Sequence, residues 1–257
     1  MSKRSNWAIP YLIFLVIFVL LPLILIVVYA FQGQDGGFTM ENITKFFTDG
    51  DALNTFAVSI EVAIENTLIC LLLGYPAAYI LANKDLNKSA VTVILFILPM
   101  WINALMRTLA TAELFNVLGF SLGKGTLLYG LVYDYLPFMI YPIYNVLLKM
   151  DNSYAEAAAD LGATPVQVFG KVTLPLSMPG ISSGILMVFM PTVSTFAISE
   201  FLTNNKIKLI GTIIQENINS SMWNYGAALS LIMLLIIGLT TLLLGGDKEN
   251  AVEGGTV

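Results

Sequence analysis

Four ionisable residues stand inside long apolar runs of this 257-residue chain: Arg107, Glu113, Asp134 and Glu200. A charge at membrane depth is costly, so it pairs with another group, lines a water-filled route or binds something. Asp134 lies among Tyr129, Tyr133, Tyr135 and Tyr141, and Trp101 on the preceding run can approach them. Carboxylates beside aromatic faces suit a desolvated polycation, whose ammonium groups pair with the acids while the rings hold it by cation–π contact. Three acids, Glu113, Asp134 and Glu200, face the single intramembrane cation Arg107, which argues against an anionic cargo. Arg107 and Glu113 are six residues apart, on different faces of a helix, so each must find its partner elsewhere. The competing reading is an interfacial belt of Tyr and Trp with each carboxylate snorkelling to the headgroups.

A second group of residues is polar and sits between apolar runs where a short turn would suffice. Ser153 can cap a helix whose N3 residue is Glu156, running through Ala157, Ala158 and Asp160. Gly162 falls where a helix-ending left-handed residue belongs. Thr164 then caps a second helix with Pro165 at N1 and Gln167 at N3. Two short helices meeting at a glycine, followed by Leu174-Pro175, read as a docking element on the face of a membrane protein.

The elements that must position these groups are membrane spans. The chain is 57% hydrophobic and 11% charged, against about 25% charged in soluble domains. Apolar runs of the length a bilayer requires predict an all-α polytopic protein with about six helices, near 8–31, 58–83, 90–115, 126–149, 178–201 and 225–246. Residues 1–246 form the transmembrane domain, with the polar insert at about 150–176, and 247–257 form a polar cytoplasmic tail. The first run, from Tyr11 to Tyr29, exceeds a signal-peptide core and reads as a retained helix. Glu61 and Glu65 fall in the first turns of the second span, where they stay solvated at the outer surface. Pro22, Pro76, Pro99, Pro137, Pro142 and Pro191 interrupt spans, and freed backbone at membrane depth suits a bundle that lines a pathway.

Orientation follows the Lys and Arg count in the connections. With the N-terminus inside, Lys3, Arg4, Lys84, Lys88, Lys149, Lys171 and Lys248 are cytoplasmic, whereas Lys45, Lys124, Lys206 and Lys208 are outside. That places the chain in the plasma membrane as a multi-pass protein with a cytoplasmic N-terminus and the Glu156 insert in the cytoplasm. The sequence has no histidine and one cysteine, Cys70, which excludes imidazole or thiolate metal sites and an intrachain disulfide. A net charge of −5 without a basic patch excludes nucleic acid as a partner. No Gly-rich phosphate loop ending in Lys-Ser/Thr is present, so ATP hydrolysis by that route is not expected here.

The run Glu156, Ala157, Ala158, then Gly162, Phe169, Val172 and Leu174-Pro175 resembles the EAA loop of ABC-transporter permeases. Leu72 to Tyr79, Leu105 to Thr108, Tyr135 to Met139, Phe196 to Leu202 and Leu209-Ile210-Gly211 are similar to segments of the spermidine/putrescine permease family, and the similarity covers about residues 8 to 244. The resemblance implies a type I importer (MetI-like) permease fold that carries polyamines into the cell. It implies no cofactor on this chain, no catalytic residue and no metal, with ATP and Mg on a partner. The implied partners are a homologous second permease, an ATPase dimer, an extracellular polyamine-binding protein and the lipid bilayer. Glu156, Ala157, Ala158, Asp160, Gly162, Leu174 and Pro175 would couple to the ATPase; Glu113, Asp134, Tyr135 and Glu200 are the pathway candidates. An importer permease for another small solute, such as iron(III), thiamine or a phosphonate, stays open, as do a secondary transporter and a purely structural membrane subunit.

Overall fold

The computed structural model describes residues 9–33, 35–83, 86–87 and 89–245. Lys3, Arg4, Lys84, Lys88, Lys248 and the expected tail 247–257 lie outside the described residues. The described chain is helical, as expected. It opens with α1 (Ile9–Leu15), a π-helical turn Val16–Leu20 and α2 (Leu21–Ala30), followed by the short α3 (Glu41–Thr48). Next come α4 (Gly50–Ala82), α5 (Ala90–Ile97), a 3₁₀ turn Leu98–Trp101, α6 (Ala104–Val117) and α7 (Lys124–Lys149). Then follow α8 (Ser153–Asp160), α9 (Pro165–Val168), a second π-turn Phe169–Thr173, α10 (Leu174–Ser194), α11 (Ala197–Thr203), α12 (Ile210–Asn219) and α13 (Trp223–Gly245).

Five helical stretches are long and apolar enough to cross a bilayer, and the bent pair α5–α6 makes a sixth if it crosses. Contacts settle that it does. The ends of α4 and α7 share one cleft, lined by Tyr79, Asn83, Leu147, Asn152 and Thr173. At the opposite end Lys124, the first residue of α7, lies 2.7 Å from Glu61 and 2.9 Å from Glu65 on the first half of α4. The two helices therefore run parallel, and only a full crossing by α5–α6 can connect them.

The third span differs from the continuous helix expected over 90–115. It bends by 92° between Trp101 and Ala104. Pro99 opens the 3₁₀ turn, and Ile102 and Asn103 turn extended, at ψ 137° and 124°. Asn103 then caps α6 by accepting from the backbone N–H groups of Leu105 and Met106, supplying partners that a fresh helix start lacks. The expected helix 178–201 is likewise two pieces, separated at Thr195 and Phe196. The second span is longer than expected, because the Asp49 side chain caps α4 at Gly50. Glu61 and Glu65 consequently sit about three to four turns in instead of in the first turns.

Pro22 and Pro175 each follow a π-turn directly and occupy the second position of the next α-helix. A proline ring clashes with the carbonyl four residues back, and the wider turn makes room without ending the helix. The α9–α10 rod thus continues from the insert into the membrane.

The core is the three-helix contact of α4, α7 and α10. Cys70, Tyr75, Ala78, Met139, Ile140, Ile143, Ile181 and Val188 form one buried cluster there. Gly180 marks a close approach of backbones: a Cβ on it would stand 3.0 Å from Ile143 Cα and 3.1 Å from the Pro142 carbonyl oxygen. Small residues let membrane helices approach to this distance. Polar ties add register, with Asn66 donating to Thr192 at 2.8 Å and the Tyr75 and Ser177 hydroxyls 3.0 Å apart. Outside this core, α2 packs on α13.

Candidate functional site

Two groups of residues carry the chemistry, one at each depth of the protein. The first is the helical hairpin α8–Gly162–α9. Its start differs from expectation: Ser153 is the first residue inside α8, and the Asp151 carboxylate accepts from the Ser153 backbone N–H at 2.9 Å. Those Ser153 contacts hold the exposed Asp151 carboxyl below its usual range. Asp151 lies one position before a standard cap, so it serves the first turn through an Asx-type contact. Glu156 sits in that first turn, where its charge complements the helix dipole.

The end of α8 matches expectation in detail. Gly162 has φ +86°, the left-handed region open to glycine. Its N–H bonds to the Ala159 carbonyl, and that of Ala163 to the Ala158 carbonyl, the double closure of a Schellman motif. Thr164 and Gln167 form the expected reciprocal capping box of α9. The hairpin presents apolar side chains that sequence reading did not single out. Leu161 is 90% exposed and Val166 80% exposed, and Tyr154 in the first turn of α8 is exposed too. Their signal was available: apolar residues flanking the glycine of an otherwise polar hairpin, with no buried face to fill. Such side chains at a rigid apex are what a groove on a partner would take up.

The hairpin grips the spans through Phe169. Its ring meets Tyr75 and Tyr79 of α4 edge-to-face, with centroids 5.8 and 5.9 Å away. Leu174 and Pro175 sit immediately beyond, at the start of α10. Displacement of α8–α9 thereby reaches α4 through the rings and α10 through the continuous backbone.

The second group lies within the membrane. Asp134, on α7, pairs with Arg107 of α6 at 3.1 Å, both side chains almost wholly buried. Thr108 lies 3.2 Å from the other Asp134 oxygen, and the Arg107 guanidinium is 5.5 Å from the Tyr133 ring centre. The cation beside this carboxylate and ring is thus part of the chain itself. Tyr135 is half-buried, its hydroxyl 3.5 Å from the Pro191 carbonyl. Glu113 is exposed on α6 and Glu200 half-buried on α11. Among the described residues no three acidic side chains gather into one metal-holding cluster.

The comparisons with known proteins fit this architecture. The family model described as binding-protein-dependent transport system inner membrane component matches residues 2–246. The chain is 34% identical over 252 residues to the spermidine/putrescine transport system permease protein PotB of Escherichia coli (strain K12), covering 89% of this chain and 91% of that protein. A homologous PotB of Haemophilus influenzae is 34% identical over 253 residues, with 89% and 86% covered. Among solved structures, the chain superposes on a bacterial ABC transporter involved in the import of the acidic polysaccharide alginate, with TM-score 0.70, 15% identity and 96% and 95% of the two chains covered. A second structure, of the bacterial alginate ABC transporter in complex with alginate pentasaccharide-bound periplasmic protein, gives 0.68 at 15% identity. With a broken third span, a capped hairpin between the fourth and fifth spans, and a match over nearly its whole length, the chain belongs to the family of inner-membrane permease components of binding-protein-dependent transport systems.

Proposed function

We propose that this protein is the polyamine-translocating permease subunit of an ATP-driven importer, and that α8–Gly162–α9 is where its ATPase partner docks. The observation that carries the reading is the hairpin itself: a capped, solvent-facing element whose apolar apex, Leu161 and Val166, stands exposed among the described residues. It stands at the same membrane face as the end of α4. Glu156, Ala157, Ala158, Asp160, Gly162, Leu174 and Pro175 make up the coupling element. ATP and Mg belong to an ATPase dimer, the second wall of the pathway to a homologous permease, and delivery of cargo to an extracellular polyamine-binding protein.

The polyamine assignment is supported by the relatives named for spermidine and putrescine and by the excess of intramembrane acids. Iron(III), thiamine and phosphonate cargoes lack that support. Asp134 contributes differently from Glu113 and Glu200, because Arg107 already neutralises it. Transport follows only from differential affinity, so the cargo must be held more weakly in the inward-facing state.

Uptake of labelled spermidine by vesicles containing the whole complex tests the reading. Glu113→Gln and Glu200→Gln should each weaken the apparent affinity if they face the route, by about ten- to hundred-fold for a lost charged hydrogen bond of about 1.5–3 kcal/mol. Unchanged concentration dependence in both would remove these acids from the pathway.

The orientation we infer puts the hairpin and the N-terminus in the cytoplasm and Asp49 outside. In a Cys70→Ser background, an impermeant thiol reagent on intact cells should modify Asp49→Cys and leave Asp160→Cys untouched. The reverse pattern would invert the topology.

A further inference from the structure

We propose that Asp134 and the Tyr133 ring on α7 form a cation seat in which the Arg107 guanidinium is a tethered stand-in, displaced by an ammonium group of the cargo when α6 moves; this rests on the polyamine reading above. The incumbent fits badly. Arginine and a carboxylate commonly pair through two parallel N–H groups. Here Nη2 alone approaches the carboxylate, 3.1 Å from Oδ1. That approach is out of line for a hydrogen bond. Oδ1 of Asp134 and Nε and Nη1 of Arg107 are all buried with no hydrogen-bond partner among the described residues. The two side chains are only 2% and 5% exposed, so each open atom is costly.

The other carboxylate oxygen is held no better. The Thr108 hydroxyl has one proton for two acceptors, Oδ2 of Asp134 at 3.2 Å and the Ala104 carbonyl at 2.9 Å. A carboxylate with room for about four donors thus receives from α6 one misaligned N–H and a shared hydroxyl proton. A compact ammonium suits this place better than a planar fork, because its three N–H donors turn freely towards their acceptors. The Tyr133 ring, with the guanidinium now 5.5 Å from its centre, supplies the cation–π face.

The means of exchange lies four residues before Arg107. Ile102 and Asn103 are extended. The Ile102 N–H bonds back to the Pro99 carbonyl, and the Asn103 carbonyl accepts forward from the Arg107 N–H. Each side of this joint keeps its own backbone bonds while the joint turns. A swing of α6 therefore removes Arg107 and Thr108 together and leaves Asp134 and Tyr133 on α7, which is fixed in the core with α4 and α10.

The test uses the assembled complex in vesicles. Cys70, the single cysteine of this chain, is buried in that core, so its labelling on heating reports the unfolding of this chain alone. Arg107→Gln should lower the unfolding temperature, and methylammonium should raise it again. Tetramethylammonium, which has the charge but no N–H, should not, and adding Asp134→Asn should abolish the response. Spermidine should act on Arg107→Gln at a concentration about ten-fold or more below that needed with the unaltered chain, because a competitor tethered at roughly millimolar effective concentration is gone. No recovery with methylammonium, equal recovery with tetramethylammonium, or recovery that survives Asp134→Asn would overturn the proposal. If Arg107→Gln does not assemble, Arg107→Lys decides: its ammonium should keep this chain at least as stable as the unaltered one, and a fall of several degrees overturns the seat. Spermidine uptake by the unaltered complex judges the polyamine reading separately. Uptake without methylammonium recovery overturns the seat alone, and recovery without uptake overturns the cargo alone.

Discussion

Replacing Arg107 by alanine should destabilise the protein by about 3–5 kcal/mol, the cost of leaving a buried carboxylate without its partner. Asp134 would then face only the Thr108 hydroxyl, and α6 would lose its charged tie to α7. Asp134→Asn should cost less, because the amide keeps the shape of the side chain and an oxygen for the Thr108 hydroxyl while losing the charge that the guanidinium balances. The double variant Arg107→Leu with Asp134→Leu should recover most of the loss, since well-packed apolar groups often replace a buried pair without penalty. Unfolding in detergent, followed by loss of the monodisperse complex, measures all three. If Arg107→Ala is as stable as the unaltered protein, water or another chain reaches Asp134, and the pair is not the clasp described here. The comparison also separates stability from transport. Recovery of fold with unchanged spermidine affinity in the double variant would show that Asp134 holds the helices and leaves cargo contact to other residues.

How far the sequence could be read depends on whether a signal is local. Span number came from apolar length, a property of each segment alone, and it held for five spans outright and for the sixth as a bent pair. The α8–α9 hairpin was legible because caps are local chemistry: Thr164 and Gln167 bond each other across three residues, and Gly162 meets a φ that other residues avoid. Even there, Asp151 took from Ser153 the side-chain contact that serves the first turn of α8, because Asp, Asn and Ser compete for the same backbone groups within a few positions. The elbow was half visible. Pro99 and Asn103 mark a helix end and a helix start, but the same pair fits a kinked continuous span, and only packing against α7 decides. The break at Thr195–Phe196 has no local marker. The Arg107–Asp134 pair was out of reach for a different reason: spacing along one helix reports faces, not which helix lies opposite. Asp134 was therefore legible as a charge needing a partner, and its partner was taken for a ligand.

Gly162→Val should abolish most ATP-dependent uptake while the protein still inserts and folds. Gly162 holds φ +86°, and a Cβ added there would meet nothing within 4 Å, so the obstacle is backbone conformation and not space. A left-handed residue other than glycine costs about 1–2 kcal/mol, and a β-branched one more. The hairpin would relieve that strain by opening the Schellman closure, turning α8 relative to α9 and dispersing Leu161 and Val166. A Cβ at Gly162 reaches no atom of the spans, so they keep their packing. Phe169→Ala attacks the next link. It removes two edge-to-face contacts with Tyr75 and Tyr79, each worth about 0.5–1.5 kcal/mol beyond area burial, and leaves the apex intact. The two variants should therefore differ in kind. Gly162→Val should lower uptake and ATPase stimulation together, by about ten-fold or more if misdocking costs as little as about 1.4 kcal/mol. Phe169→Ala should still dock and hydrolyse ATP, but with more ATP consumed per spermidine imported, because motion no longer reaches α4. The measured ratio of ATP hydrolysed to spermidine taken up decides it. A normal ratio in Phe169→Ala would mean that the π-turn and α10 carry the stroke alone. Normal uptake in Gly162→Val would remove the hairpin from the docking role altogether.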